Sequence, residues 1–195
     1  MPQIHQGNWT AQGKRFAILA SRWNEFVADK LIDGAVDALG KTGARDEDIE
    51  IYRCPGAFEL PGLARRVADS GAYDAIVCLG VVIRGATPHF DVVVNQATRG
   101  IAQIAAEAKL AVGFGVLTCD TIEQAIERAG SKGGNRGSDA AMAAIEMSNL
   151  YDKLDDLHGN PERVPKPSRD GTRRAELAGS PRGADAASSQ TRRRK

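Results

Sequence analysis

Residues 74–83 run Asp-Ala-Ile-Val-Cys-Leu-Gly-Val-Val-Ile, apolar almost without a break. A strand with one wetted face alternates polar and apolar residues, so a run without alternation marks a strand buried on both faces. Such a strand needs a layer of helices on either side, and the rest of the chain supplies them. Residues 15–20 and 112–117 form two more apolar runs, and residues 48–54 a fourth strand candidate, ended by Pro55-Gly56. Between them lie segments at helical spacing. Asn24 is placed to cap a helix carrying Val27, Leu31, Ala35 and Leu39, which Gly43 closes. A second helix is predicted over 58–70, with Pro61 tolerated in its first turn. Phe90, Val94, Ala97, Ile101, Ile104 and Ala108 advance by three or four, giving a long third helix, and shorter patterns predict helices over 121–129 and 138–154.

This alternation predicts a three-layer α/β/α domain over residues 1–158 with a mostly parallel four-stranded sheet. The N-terminal ten residues, with Ile4 and Trp9 but no helical pattern, are expected to add an edge strand. Aromatics are only 5% of the chain, which suits closely packed helices and strands better than a sandwich built on large rings. No apolar stretch approaches the roughly 18 residues needed to cross a bilayer, and no basic region followed by an apolar run opens the chain. Cys54, Cys78 and Cys119 lie too far apart for a zinc ribbon or a redox pair and are expected as small buried hydrophobes. A cytoplasmic globular protein is expected.

Residues 159–195 differ in kind. They carry ten cations against four acids, a charge of +6 that leaves −5 on residues 1–158. They also hold four of the eight prolines, and Val164 and Leu177 are their only large apolar residues. A segment this poor in core-forming side chains is expected to be disordered. Its Arg192-Arg193-Arg194-Lys195 end offers charge to a polyanion such as nucleic acid, but without the interleaved aromatics of a single-strand binder. A solvated extension is the plainer expectation.

In sheets of this kind ligands bind beyond the carboxyl ends of the strands. There the chain places Ser21-Arg22-Trp23-Asn24, then 54–59 with Ala57, Phe58 and Glu59, then 84–91 with His89, then Thr118-Cys119-Asp120. These loops suit a flat, polar ligand that can carry phosphate. The Gly80-to-Gly85 stretch lacks the Lys-Ser/Thr of a nucleotide-binding loop, and no Gly-x-Gly-x-x-Gly follows any strand. The amides of Gly85, Ala86 and Thr87 precede a helix N-terminus, a suitable place for an anion. His89, unlike the marginal His5 and His158, stands beside the expected pocket, where an imidazole can exchange protons near neutral pH. Arg128, Lys132 and Arg136 surround a glycine-rich loop; they either hold phosphate or complement a helix C-terminus. Trp23 either stacks on a ring or fills the sheet edge.

In combination these segments are more specific. Ile83-Arg-Gly-Ala-Thr-Pro-His-Phe-Asp91, with residues 55–61, 114–118 and 127–135, resembles the 6,7-dimethyl-8-ribityllumazine synthases, over roughly residues 4–154. The resemblance implies a flavodoxin-like fold and condensation of 5-amino-6-(D-ribitylamino)uracil with 3,4-dihydroxy-2-butanone 4-phosphate, with no metal or organic cofactor. It implies His89 as proton shuttle. Arg128, Gly85, Ala86, Thr87 and Lys132 would hold the phosphate. Trp23 and Phe114 would flank the pyrimidine, backbone at Val81, Val82 and Ile83 would read its amide edge, and Asn24, Ala57, Phe58 and Glu59 would meet the ribityl chain. It further implies a homo-oligomer of pentamers, as a 60-subunit shell, with Phe114 and Arg128 contributed by the neighbouring subunit. Trp23 stands where phenylalanine is common in the family, and Arg136 where lysine is, so Arg136 is assigned no catalytic step. Two alternatives stay open: an archaeal-type riboflavin synthase, and a shell protein packaging polyanions through its basic tail.

Overall fold

A computed structural model describes residues 2–159. The basic extension predicted from Gly159 onward therefore lies, beyond that first residue, outside the described residues. The chain forms β1 (Phe16–Ser21), α1 (Glu25–Lys41), β2 (Ile49–Cys54), α2 (Leu60–Asp69), β3 (Ala75–Ile83), α3 (His89–Glu107), β4 (Ala111–Cys119), α4 (Ile122–Arg128) and α5 (Arg136–His158). The four strands make one sheet in the order β2-β1-β3-β4, parallel throughout. The register brings Leu19 beside Tyr52 and Cys78, and Cys78 beside Phe114.

The predicted three layers are present. One face of the sheet (Phe16, Ile18, Val77, Leu79) packs on α1 and α5 through Leu31, Leu39, Ala141 and Ile145. The other (Leu19, Ile76, Cys78) packs on α2 and α3 through Leu60, Ala64, Ala97 and Ile101. Burying each large aliphatic side chain in these layers contributes about 1.5–3 kcal/mol. β3 is central and its first seven residues are buried, as the apolar run required. All three cysteines are free and buried. Complete burial pushes the Cys78 thiol up to about 12. Helices approach closely where side chains are missing: a Cβ at Gly137 would overlap the Leu31 carbonyl, and one at Gly113 the Ala140 carbonyl.

The edge strand expected near the N-terminus is not formed within this chain. Residues 2–10 form no strand and lie along α5 instead. Trp9 Nε1 donates to Glu146 at 3.2 Å, and Asn149 Nδ2 donates to the carbonyls of Asn8 and Thr10. Two of the segment's carbonyls thus bond to a helix side chain rather than to a ladder. The last helix is also longer than its pattern indicated, continuing through Asp155, Asp156, Leu157 and His158 to a left-handed cap at Gly159.

Toward the amino ends of the strands a polar cluster joins β2 to the entrance of β3. Tyr52 Oη donates to Glu50 at 2.7 Å and meets Tyr73 Oη at 2.5 Å, while Arg15 pairs with Glu50 at 2.9 Å. The hydroxyl bond from Tyr52 holds the Glu50 carboxyl below the usual range, with Tyr73 and Arg15 acting in the same direction.

Candidate active site

The order β2-β1-β3-β4 reverses direction between β1 and β3, and a crevice opens where loops leave two such strands on opposite sides. The structure has a cleft there of about 170 Å³, lined by Trp23, Asn24, Ala57, Val81, Val82, Ile83, Gly85, Thr87, His89, Phe90 and Val93. Its floor follows from unequal strand lengths. β1 pairs with β3 only as far as Ala20 opposite Leu79, whereas β3 continues beside β4 to Ile83 opposite Cys119. From Val81 onward the β1-facing edge of β3 has no strand partner. Apart from the Val81 carbonyl, which Asn24 engages, backbone groups on that edge are open to a cyclic amide.

Asn24 occupies the N-cap position of α1 as expected, but its side chain does not cap the helix. It is the sole non-glycine residue with positive φ among the described residues, at 59°, a conformation that asparagine tolerates better than most. That turn sends Nδ2 to the Val81 carbonyl at 3.1 Å, tying the loop after β1 to the free edge of β3. The Trp23 amide donates to the Pro55 carbonyl at 3.2 Å, which joins the loops after β1 and β2. The Trp23 ring itself is 69% exposed, a flat apolar wall with room for a partner. Just behind it Ser21 is fully buried, and its hydroxyl has no hydrogen-bond partner among the described residues.

On the far side, the β3–α3 loop brings His89 to the first position of a 19-residue helix, with Pro88 as its N-cap. Arg84 braces this loop. Its Nε donates to Asp120 at 2.9 Å, its Nη1 contacts both oxygens of Asp91 at 3.2 Å, and its guanidinium lies 4.0 Å from the Phe90 ring centre. Arg84 and Phe90 fall in the 84–91 loop expected at the site, but the sequence assigned neither them nor Val93 a role there. Phe90 was legible as a core position in the third helix's spacing and as a member of that loop; that it also lines the cleft depends on how α3 meets β3.

The family now follows. The sequence model of the 6,7-dimethyl-8-ribityllumazine synthases matches residues 13–152. This chain belongs to that family. The enzyme of that name from Desulfotalea psychrophila is 58% identical over 154 residues, covering 79% of this chain and 99% of the relative. Those of Desulfatibacillum aliphaticivorans and Chlorobaculum tepidum are each 56% identical, covering 79% and 76% of this chain and 99% and 96% of the relatives.

Within this lumazine synthase fold, nine of the sequence-derived site residues share the cleft: Trp23, Asn24, Ala57, Val81, Val82, Ile83, Gly85, Thr87 and His89. Ala86 is in the same loop, and Phe58 and Glu59 follow Ala57 on a 3-10 turn, Ala57–Glu59, with Phe58 56% exposed. Glu59 lies close enough to Cys54 to raise its thiol, an effect second to burial. Phe114, Arg128 and Lys132 are not in this lining. Phe114 is on the outer strand, exposed, on the face of Val112 and Val116. Arg128 ends α4, its Nη1 donating to the Gln124 carbonyl at 3.2 Å. Its charge opposes the burial that raises the Cys119 thiol. Lys132, in the loop beyond, lies 3.7 Å from Glu127. No helix of the described residues is long and apolar enough to cross a membrane.

Proposed function

We infer that this chain condenses 5-amino-6-(D-ribitylamino)uracil with 3,4-dihydroxy-2-butanone 4-phosphate to give 6,7-dimethyl-8-ribityllumazine, releasing inorganic phosphate and water. The observation that carries this reading is the edge of β3 from Val81 to Ile83, which no strand of the described residues covers and which lines one cleft with Trp23 and His89. A pyrimidine lying on the Trp23 ring meets backbone donors and acceptors along that edge. Asn24, Ala57, Phe58 and Glu59 then receive the ribityl chain. The amine adds to the ketone and loses water to give an imine; phosphate then leaves, the resulting enol tautomerises to a second ketone, and the ribityl-bearing nitrogen adds to that carbon and expels a second water to close the ring. Each step moves protons, and His89 at the cleft mouth transfers them. Holding two reactants in register supplies much of the acceleration, up to about 7–11 kcal/mol where alignment is good.

The phosphate falls to Arg128, with Gly85, Ala86 and Thr87 of the loop before α3, and Lys132 beside them. A guanidinium fork and backbone amides suit an oxyanion. The cleft of one subunit is smaller than the roughly 300–1,000 Å³ of complete small-molecule sites, and Phe114 and Arg128 lie outside it. Both features support a site completed by the Phe114 and Arg128 of an adjoining subunit, in pentamers assembled into a 60-subunit shell. Exposed Phe26, Val92 and Ile122, at 71%, 55% and 49%, provide apolar area for such contacts. Three free, buried cysteines suit a reducing, cytoplasmic setting.

The test is to mix the purified protein with both substrates and follow lumazine fluorescence and phosphate release together. Equal appearance of the two supports the reading. Conversion of the lumazine itself, without consumption of the butanone phosphate, would instead identify a riboflavin synthase. Light scattering separates a shell from a lone pentamer.

A further inference from the structure

Asn135 has no part in the chemistry above, yet its side chain uses its whole hydrogen-bonding capacity. It is the N-cap of α5, with Oδ1 accepting from the amides of Gly137 at 2.8 Å and Ser138 at 3.2 Å. Capping explains those two bonds. Nδ2 points the other way, donating to the Lys30 carbonyl of α1 at 2.7 Å and to the Ala129 carbonyl at 3.2 Å. One amide thus joins three helices: the start of α5, the middle of α1 and the end of α4. With two donors and two acceptor sites, it has nothing left to offer.

The bond to Ala129 has a consequence for its neighbours. Ala129 directly follows Arg128, and its backbone also pairs with Asn135 in an antiparallel bridge. Residues 130–134 are therefore a loop whose two ends are clasped by Asn135. Gly130 and Gly134 turn it with φ of 113° and 75°. Inside, the amides of Lys132 and Gly133 fold back on the Glu127 carbonyl at 3.4 and 2.8 Å. Both cations assigned to the phosphate hang from this clasp, Arg128 just before the loop and Lys132 within it. The α1 side is shaped to admit the amide, since any Cβ at Gly34 would overlap the Asn135 side chain. A glycine in mid-helix costs stability unless something uses the space.

We propose that Asn135 is a positioning residue for the phosphate-bearing substrate, fixing the direction of Arg128 through the Ala129 carbonyl without touching substrate itself. This rests on the assignment of Arg128 to phosphate made above. A guanidinium binds phosphate by direction as well as charge, so tilting the end of α4 weakens binding while every charge remains.

Three variants test this in the assembled, full-length enzyme. Asn135→Asp keeps the cap acceptor but turns a carboxylate oxygen toward two carbonyls. Asn135→Ser also caps but cannot reach both carbonyls, and serves if the aspartate variant does not fold. Gly34→Ala displaces the amide from outside the site. Each is expected to raise KM for the butanone phosphate about tenfold, and Ki for inorganic phosphate in parallel. KM for the ribitylaminouracil should stay within twofold. Combined with Arg128→Ala, Asn135→Asp should add little beyond Arg128→Ala alone, because both act on one contact. If both KM values rise together, or the two losses multiply, or all three variants keep the parental KM while Arg128→Ala raises it, the positioning role is wrong. If Arg128→Ala itself leaves KM for the butanone phosphate unchanged, the phosphate assignment fails first and the proposal with it.

Discussion

Ser21→Ala should make this protein more stable, and the magnitude follows from what surrounds the hydroxyl. Ser21 is fully buried at the end of β1, and its Oγ has no hydrogen-bond partner among the described residues. The hydroxyl faces Gly80: a Cβ built there would lie 3.1 Å from Oγ and 3.2 Å from Leu60 Cδ1. An unsatisfied buried hydroxyl costs about 1–3 kcal/mol. Alanine keeps the Cβ and removes only the oxygen, so the cavity left is small and a gain of about 1–2 kcal/mol remains. For a chain of this size that corresponds to a rise in Tm of roughly 2–8 °C. Urea unfolding at matched protein concentration is the assay, because assembly makes apparent stability concentration-dependent. The midpoint should rise with m unchanged. Gly80→Ala provides a cross-check: its added methyl crowds Oγ in the parent, so its penalty should shrink in the Ser21→Ala background. A loss of stability in Ser21→Ala, or strict additivity with Gly80→Ala, would refute the reasoning. It would mean that the hydroxyl is satisfied in the folded protein.

His89→Ala should lower kcat within the 10²- to 10⁴-fold range of acid–base catalysis, toward the low end, because the cleft still aligns both reactants. Complete inactivity with normal uracil binding would show a larger role. Glu50 is held below the usual carboxylate range, so the unfolded chain binds the extra proton first; its stabilisation is full above about pH 4.5 and is lost as pH falls through the folded value. Tyr52→Phe should flatten that acid limb in unfolding curves between pH 2.5 and 6. Burial raises all three thiols, so a disulfide reagent should label Cys54, Cys78 and Cys119 only as fast as the protein opens, and rapid labelling at pH 7 would contradict their placement. Ending the chain at His158 should leave kcat and both KM values unchanged while moving each subunit from +1 to −5. Any nucleic acid retained at low salt should be lost with the tail and should fall steeply as salt rises.

The layers and the loops that line the cleft were legible in the sequence. An unbroken apolar run such as 75–83 has one stable environment, buried on both faces, and helical spacing in 27–39 and 90–108 states which side of each helix faces the sheet. These are local signals, set by periodicity and burial within one segment. The loops at the carboxyl ends of the strands followed from them, and with them the common location of Trp23, Asn24, Ala57 and His89, which line one cleft. The strand order was not legible in the hydrophobic pattern and came only with the family resemblance, because no residue in β1 specifies that it separates β2 from β3. Yet that order creates the crevice, and the early end of β1 creates the free edge at Val81–Ile83. Asn24 was readable as a cap, but its bond to Val81 requires a left-handed turn that only the packing of two loops imposes. Asn135 likewise reads in one dimension as the residue closing a glycine-rich loop, while its contact with Lys30 spans 105 positions. What the sequence by itself determined was which surfaces must be buried, since hydrophobic periodicity is a property of the chain. Which strand ends early beside which, and which side chain reaches across, was decided by tertiary packing alone, because those contacts join segments that carry no signal for each other.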